Sequence, residues 1–182
     1  MVSRCRMKFD AIAIGAGQAA KPLCYALSEL GWKVAFIERA EVGGSCINTG
    51  CTPTKTMIAS AQVAHYARNA SRWGVRAGEV SVDLPAITTH KNKVVQNFRD
   101  AIEKGISRHQ NIRFVRGHAR FSGPHQVEVN GEILEGDKIF IDTGTRPRIP
   151  ALTGIDSVPY LTNVTVMELQ QVPEHLLILG GG

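Results

Sequence analysis

The pattern of apolar and polar positions begins with Phe9-Asp-Ala-Ile-Ala-Ile14, a short apolar run suited to a buried parallel strand. After Gly15-Ala-Gly17-Gln-Ala-Ala20 a helical pattern runs from Ala19 to Leu30, with Pro22 in its first turn and Gly31 as a stop. Trp32 to Ile37 is a second apolar strand, ended by Glu38. A helix is predicted from about Thr54 to Arg72, its apolar side made of Ile58, Ala61, Val63, Ala64 and Ala67, and Trp73-Gly74 closes it. A longer helical pattern covers Leu84-Pro85 to about Gln110, with Ile87, Val94, Val95, Phe98, Ile102 and Ile106 on one side. Asn111 to Arg116 reads as a strand. Residues 118 to 135 read as a meander with a turn at Gly123-Pro124 and an Asn130-Gly131 hairpin into a strand Glu132-Ile-Leu134. Lys138 to Asp142 is a further strand, and Pro173 to Leu179 an apolar strand running into Gly180-Gly-Gly182.

Strands that alternate with helices predict an α/β class with a mostly parallel sheet. The first strand, glycines, helix, second strand and Glu38 stand in the order of a Rossmann-type dinucleotide fingerprint, in its G-x-G-x-x-A form. Gly15 and Gly17 permit the turn and a close backbone approach. The helix start at Ala19 receives a pyrophosphate, and Glu38 accepts a ribose hydroxyl. This pattern alone does not separate FAD from NAD.

Composition changes the picture little. A chain of 182 residues holds one core-bearing domain, with a fragment of a second. The net charge of +5 comes from scattered Lys and Arg, which reads as a solvated surface rather than a nucleic-acid patch. No apolar run reaches membrane-spanning length, and the start lacks a signal-peptide core. A reducing cytoplasm is expected, where a close cysteine pair is more often catalytic than structural. His65, His90, His109, His118, His125 and His175 are dispersed singly and make no metal site. Arg146 and Arg148 read as solvated loop residues. Cys5 and Cys24 receive no role, and the residues before Lys8 are expected to be a flexible tail.

Candidate chemistry concentrates in Gly43-Gly44-Ser45-Cys46-Ile47-Asn48-Thr49-Gly50-Cys51-Thr52-Pro53-Thr54-Lys55. A disulfide needs Cα atoms about 4.4–6.8 Å apart. An α-helix separates positions i and i+5 by about 7.5 Å of rise alone. If Cys46 and Cys51 are bridged, the backbone between them must be a tightly wound or distorted turn, which Asn48 and Gly50 are suited to allow. A loop so small removes only about 2 kcal/mol of unfolded-state entropy, so such a bridge makes more sense as chemistry than as reinforcement. With Thr52 placed as a cap and Pro53 in the first turn, Cys51 lies at the positive end of a helix and Lys55 one turn on. Bringing a thiol pKa from about 8.5 to about 7 takes roughly 2 kcal/mol, the top of what a helix terminus supplies, so a second positive or electron-poor group is expected.

The segment GGSCINTGCTPTK resembles the redox-disulfide signature of the FAD-dependent pyridine nucleotide–disulfide oxidoreductases, and its Thr-Pro-Thr-Lys ending resembles the mercuric reductase-like branch most. The resemblance implies that the N-terminal fingerprint holds FAD. It implies that Cys46 and Cys51 form the redox disulfide, with Cys46 the interchange thiol that meets substrate, Cys51 the thiolate against the flavin, and Lys55 near its N5 edge. It also assigns cofactor contacts to Gly15, Gly17, Gln18, Ala19, Glu38, Gly44, Ser45, Lys55, Gly117, His118, Ala119, Thr143 and Gly144. Thr143-Gly144 resembles the family's Ala-Thr-Gly segment, with Asp142 standing where alanine is common.

On this reading residues 8–150 are the first segment of a FAD-binding domain. Residues 151–182 are a linker and the first strand of a truncated NAD(P)-binding domain. The parent enzyme is expected to pass electrons from NAD(P)H through FAD to the cysteine pair and on to a small-molecule disulfide or Hg(II)-type substrate. A homodimer is expected, without nucleic acid or membrane. The competing expectation is a flavin-binding module without turnover of its own.

Overall fold

A computed structural model describes residues 6–180. Its centre is a six-stranded sheet in the order β3-β2-β1-β6-β5-β4. In chain order, β1 is Arg6–Ile14, helix α1 Ala20–Glu29, β2 Val34–Glu38, α2 Gly44–Asn48, α3 Cys51–Arg68 and α4 Leu84–Ser107. Strands β3 Ile112–Arg116, β4 Arg120–Gly123, β5 Gln126–Val129 and β6 Glu132–Ile141 follow. Strands β3, β2, β1 and β6 are parallel neighbours, and β5 and β4 extend the sheet antiparallel from β6. The expected α/β class with an inserted meander is therefore the observed one.

Successive strand side chains point to opposite faces, and the apolar runs of β1 and β2 fill both. Ala11, Ala13, Val34 and Phe36 meet Cys24 of α1, Ile47 of α2 and Val95, Ile102 and Ile106 of α4. On the other face Ile12, Ala35 and Ile37 meet Val115 and the meander's Val127, Val129 and Leu134. Asp83 caps α4 by accepting from the Ala86 N–H at 2.9 Å, which satisfies one of the donors a helix start leaves open.

Several expectations need correction. Strand β1 begins at Arg6, so Arg6 and Met7 belong to the sheet rather than to a tail; residues 1–5, with Cys5, lie outside the described residues. The charged Arg6 and Lys8 hid the start of that strand from an apolar pattern. The strands expected at 132–134 and 138–142 are one, β6, pairing with β1 along its length. Gly136 in its middle is not a turn: a Cβ there would lie 2.7 Å from Cγ1 of Ile12, so glycine admits that side chain. Helix α3 starts three residues earlier than predicted, at Cys51 with Gly50 in the cap position, and a 3-10 turn Ala70–Trp73 replaces its end. Thr52 therefore lies inside the helix rather than capping it. The apolar side of α3 is not core either, since Ile58, Val63 and Tyr66 are exposed. Finally, Leu176 to Leu179 form no strand; Leu177 is 86% exposed, and no strand lies beside the run to take its backbone groups. No described helix is long and apolar enough to cross a membrane.

Candidate active site

The parallel strands end together at one edge of the sheet, where α/β folds characteristically open a crevice. A groove of about 430 Å³ lies there. It is lined by Gly15, Gly17, Glu38, Gly44, Ser45, Gly117, His118, Ala119, Thr143 and Gly144, all expected at a cofactor site. Arg39, Glu41, Thr49, Asp142, Thr145 and Arg146 also line it and were not assigned there from sequence. Gln18, Ala19 and Lys55 are not among the lining residues.

The fingerprint loop is held from several directions. Both carboxylate oxygens of Glu38 are engaged, Oε2 accepting from the Ala16 N–H and Oε1 from the Ala40 N–H, each at 2.8 Å. A carboxylate offers about four lone-pair sites, so a ribose hydroxyl can still be bound by an already fixed group. The Gln18 side chain donates from Nε2 to the Gly43 carbonyl at 3.0 Å, which ties the fingerprint loop to the cysteine segment instead of pointing it into the groove. Among the described residues the N–H groups of Gly17, Gln18 and Ala19 have no acceptor. Free N–H groups at a helix start are the donor set an anion needs. Gly144 has φ +67° and open space where a Cβ would stand. These features fit the diphosphate and ribose of a dinucleotide.

Cys46 lies in the one-turn helix α2 and Cys51 is the first residue of α3, so the pair is separated by a break rather than by continuous helix. Gly50 makes the break. Its φ of −126° and ψ of −112° leave helical geometry, and a Cβ would lie 2.9 Å from the Ser45 carbonyl oxygen. Gly44, at φ +60°, presses on the fingerprint loop so closely that a Cβ would lie 2.9 Å from Cα of Gly17. The two motifs, far apart in sequence, are one surface.

Cys46 and Cys51 are free thiols. The Cys46 thiol is pushed above its ordinary pKa, chiefly by its hydrogen bond to the Cys51 side chain, next by burial and by the charge of Cys51, while the Cys51 backbone N–H and then Lys55 act the other way. Lys55 itself is exposed and borders a shallow depression with Val63, His90 and Val94. Cys24, by contrast, is buried in the core and pushed up to about 12 by desolvation, which makes it inert. No group of three or more metal-ligating side chains occurs among the described residues.

Comparison with known proteins agrees with this geometry. Residues 9–182 match the family model described as pyridine nucleotide-disulphide oxidoreductase. The chain is 38% identical over 180 residues to a mercuric reductase of Streptomyces lividans, covering 96% of this chain and 38% of that one. It is 32% identical over 181 residues to a dihydrolipoyl dehydrogenase of Chlamydia muridarum, again 96% and 38%. The HOCl-induced flavoprotein disulfide reductase RclA from Escherichia coli superposes with a TM-score of 0.78 at 35% identity, covering 95% of this chain and 37% of that one. The chain thus spans well under half the length of these relatives. It belongs to the pyridine nucleotide-disulphide oxidoreductase family.

Proposed function

From that membership we infer that the chain is the FAD-binding and redox-disulfide portion of a flavoprotein disulfide oxidoreductase. The observation that carries this reading is the packing of Gly44 on Gly17, which sets the Cys46–Cys51 turn directly beside the dinucleotide groove. FAD, when bound, relays two electrons from NAD(P)H to the disulfide. The chain's own residues do the rest. The N–H groups of Gly17, Gln18 and Ala19 bind the diphosphate and Glu38 the adenosine ribose. Gly117, His118 and Ala119 border the groove at the end of β3, and Thr143 and Gly144 border it at the end of β6. Cys51, the first residue of α3, is the member of the pair that faces the flavin, and Cys46 donates a hydrogen bond to it. Cys46, in α2 before the break, is the thiol that exchanges with substrate. Lys55 supplies positive charge on the α3 side of the pair.

The electron acceptor of the whole protein is a small disulfide or a soft metal ion of the Hg(II) type, and a mercuric reductase-like activity is the reading we favour. The exposed apolar face of α3, with Ile58, Val63 and Tyr66, supports a homodimer of the whole protein. A reducing cytoplasm is its compartment. A second reading is favoured by one fact, that the chain spans 38% of the mercuric reductase it matches. On that reading residues 1–182 bind flavin without turnover of their own. Both readings require FAD binding. Titration of the chain with FAD, followed by quenching of flavin fluorescence and by HPLC of the released cofactor, tests them: FAD retained in preference to FMN supports them, and no binding ends them. Steady oxidation of NADH or NADPH by the loaded chain with a disulfide or Hg(II) then selects the first.

A further inference from the structure

The turn that separates the two cysteines is held by one side chain. Asn48 is the last residue of α2 and stands between Cys46 and Cys51. Its Nδ2 donates back to the carbonyls of Gly44 at 2.9 Å and Val42 at 3.0 Å, so its amide closes the turn upon its own beginning. Its Oδ1 accepts from Nε of Arg99 at 2.7 Å. The orientation of this amide is fixed by chemistry: arginine only donates and carbonyls only accept.

Arg99 lies in the middle of α4, which is anchored in the core through Val95, Ile102 and Ile106. It contacts the turn from 51 positions away in sequence. Among the described residues its guanidinium takes part in no ion pair. The hydrogen bond to Asn48 is charge-assisted, hence short and strong. Arg99 therefore couples the rigid helix layer to the segment in which the sulfurs must approach and separate.

We propose that Arg99 is a positioning residue for the Cys46–Cys51 redox pair, acting through Asn48 to hold the turn in the one arrangement in which the sulfurs close. This rests on the reading of the pair as a redox disulfide. Closing the bridge removes two protons and two electrons from the thiols and forms one S–S bond at about 2.03–2.05 Å. Sulfur atoms carried on a loose turn spend most of their time apart, which lowers their effective concentration for one another. With Asn48 fixed, the turn enters the reaction already wound. Removal of Arg99 leaves Asn48 clamped only to its own segment, so the dithiol gains freedom that the disulfide lacks. The disulfide is then the less favoured form.

The equilibrium with glutathione reads this directly. In it the dithiol and one glutathione disulfide give the Cys46–Cys51 disulfide and two glutathione thiols. The 182-residue chain is equilibrated at several glutathione ratios, acid-quenched, and its Cys46–Cys51 peptide quantified by mass spectrometry. Arg99→Ala is expected to lower the equilibrium constant about tenfold, equivalent to about 30 mV for two electrons. Arg99→Lys, which keeps a donor and a charge, is expected to recover part of that loss. Tyr25→Phe is the control for mere loosening of α4, because the Tyr25 hydroxyl donates to the Ile102 carbonyl at 3.2 Å and, among the described residues, makes no hydrogen bond to the turn. It should lower thermal stability and leave the equilibrium unchanged. An Arg99→Ala constant within twofold of the native one, or an equal fall in Tyr25→Phe, overturns the proposal while the redox reading stands. A native chain that forms no Cys46–Cys51 disulfide at any ratio overturns both.

Discussion

The carboxylate of Asp142, at the end of β6, accepts a hydrogen bond from the backbone N–H of Ala20 at 3.0 Å, 122 positions away. Helix α1 has no capping side chain of its own and no acidic residue in its first turn. Asp142 supplies both from across the sheet, favoured by the positive helix end. Gly17 makes room for it, since a Cβ there would lie 2.6 Å from its Oδ2. Asp142→Ala should cost about 0.5–2 kcal/mol, the usual cost of losing a cap, and Asp142→Asn distinctly less. Urea denaturation checks this. Equal losses in the two variants would assign the effect to something other than the missing acceptor.

Gly44 and Gly31 make a matched pair for testing the contact between the two motifs. Both have positive φ, +60° and +84°, so alanine at either is strained. At Gly31 an added Cβ meets nothing within 4 Å, whereas at Gly44 it meets Cα of Gly17. Gly31→Ala should cost about 1–2 kcal/mol of backbone strain. Gly44→Ala should cost more in stability and should also weaken FAD binding, by fluorescence titration. A Gly44→Ala chain that binds FAD normally would mean the loops need not touch.

How far the sequence disclosed this arrangement depends on whether the cause was local. The fingerprint and the cysteine segment were legible because glycines and cysteines at fixed spacing carry their own constraints. Gly15 and Glu38 were legible in the fingerprint itself, Gly117 and Thr143 only through resemblance, and the ends of the parallel strands gather all four around one groove. Asp142 as a cap, and Gln18 as a tie to Gly43 rather than a lining residue, were illegible because each depends on a partner many residues distant. Strand β6 reads as two because Glu135-Gly136-Asp137 interrupts its apolar run, and nothing in a linear pattern says that Ile12 will lie above Gly136. The apolar face of α3 met the periodicity rule and is nevertheless exposed, because periodicity reports that a face is apolar without naming what covers it.

Lys91 is the largest charged group in the interior. Its side chain is 2% exposed and pairs at 2.7 Å with Glu168, which is 62% exposed. Beside it the Thr88 hydroxyl donates to the Leu169 carbonyl at 3.2 Å, so this patch of α4 holds the 165–169 turn. Removing one partner of such a pair leaves a buried charge uncompensated, whereas an apolar side chain of similar volume removes the need for a partner. Glu168→Ala should therefore destabilise by about 1–3 kcal/mol, and Lys91→Met should be near neutral or stabilising. Chemical denaturation of the two variants checks the order. Loss of stability in Lys91→Met comparable to that in Glu168→Ala would show the pair to be net stabilising.

The last prediction concerns pH and the two thiols. Cys46 holds its proton to higher pH than an ordinary thiol, first because it donates a hydrogen bond to Cys51 and then because of partial burial. Only the thiolate is alkylated, so in the reduced chain the iodoacetamide rate at Cys46 should rise with a midpoint above the free-cysteine value of about 8.5. The sign under mutation follows from the causes. Cys51→Ala removes the acceptor and its charge while Lys55 remains, so the Cys46 midpoint should fall. Lys55→Met removes the one side-chain charge that favours the thiolate, so the midpoint should rise. Cys24, buried and pushed up to about 12, should stay unmodified in the folded chain throughout, which makes it an internal check that the protein has not opened. Peptide mapping after timed alkylation separates the sites. A midpoint that stays put or rises in Cys51→Ala would mean that Cys46 is not the proton-bearing member of the pair, and the roles of the two cysteines would have to be exchanged.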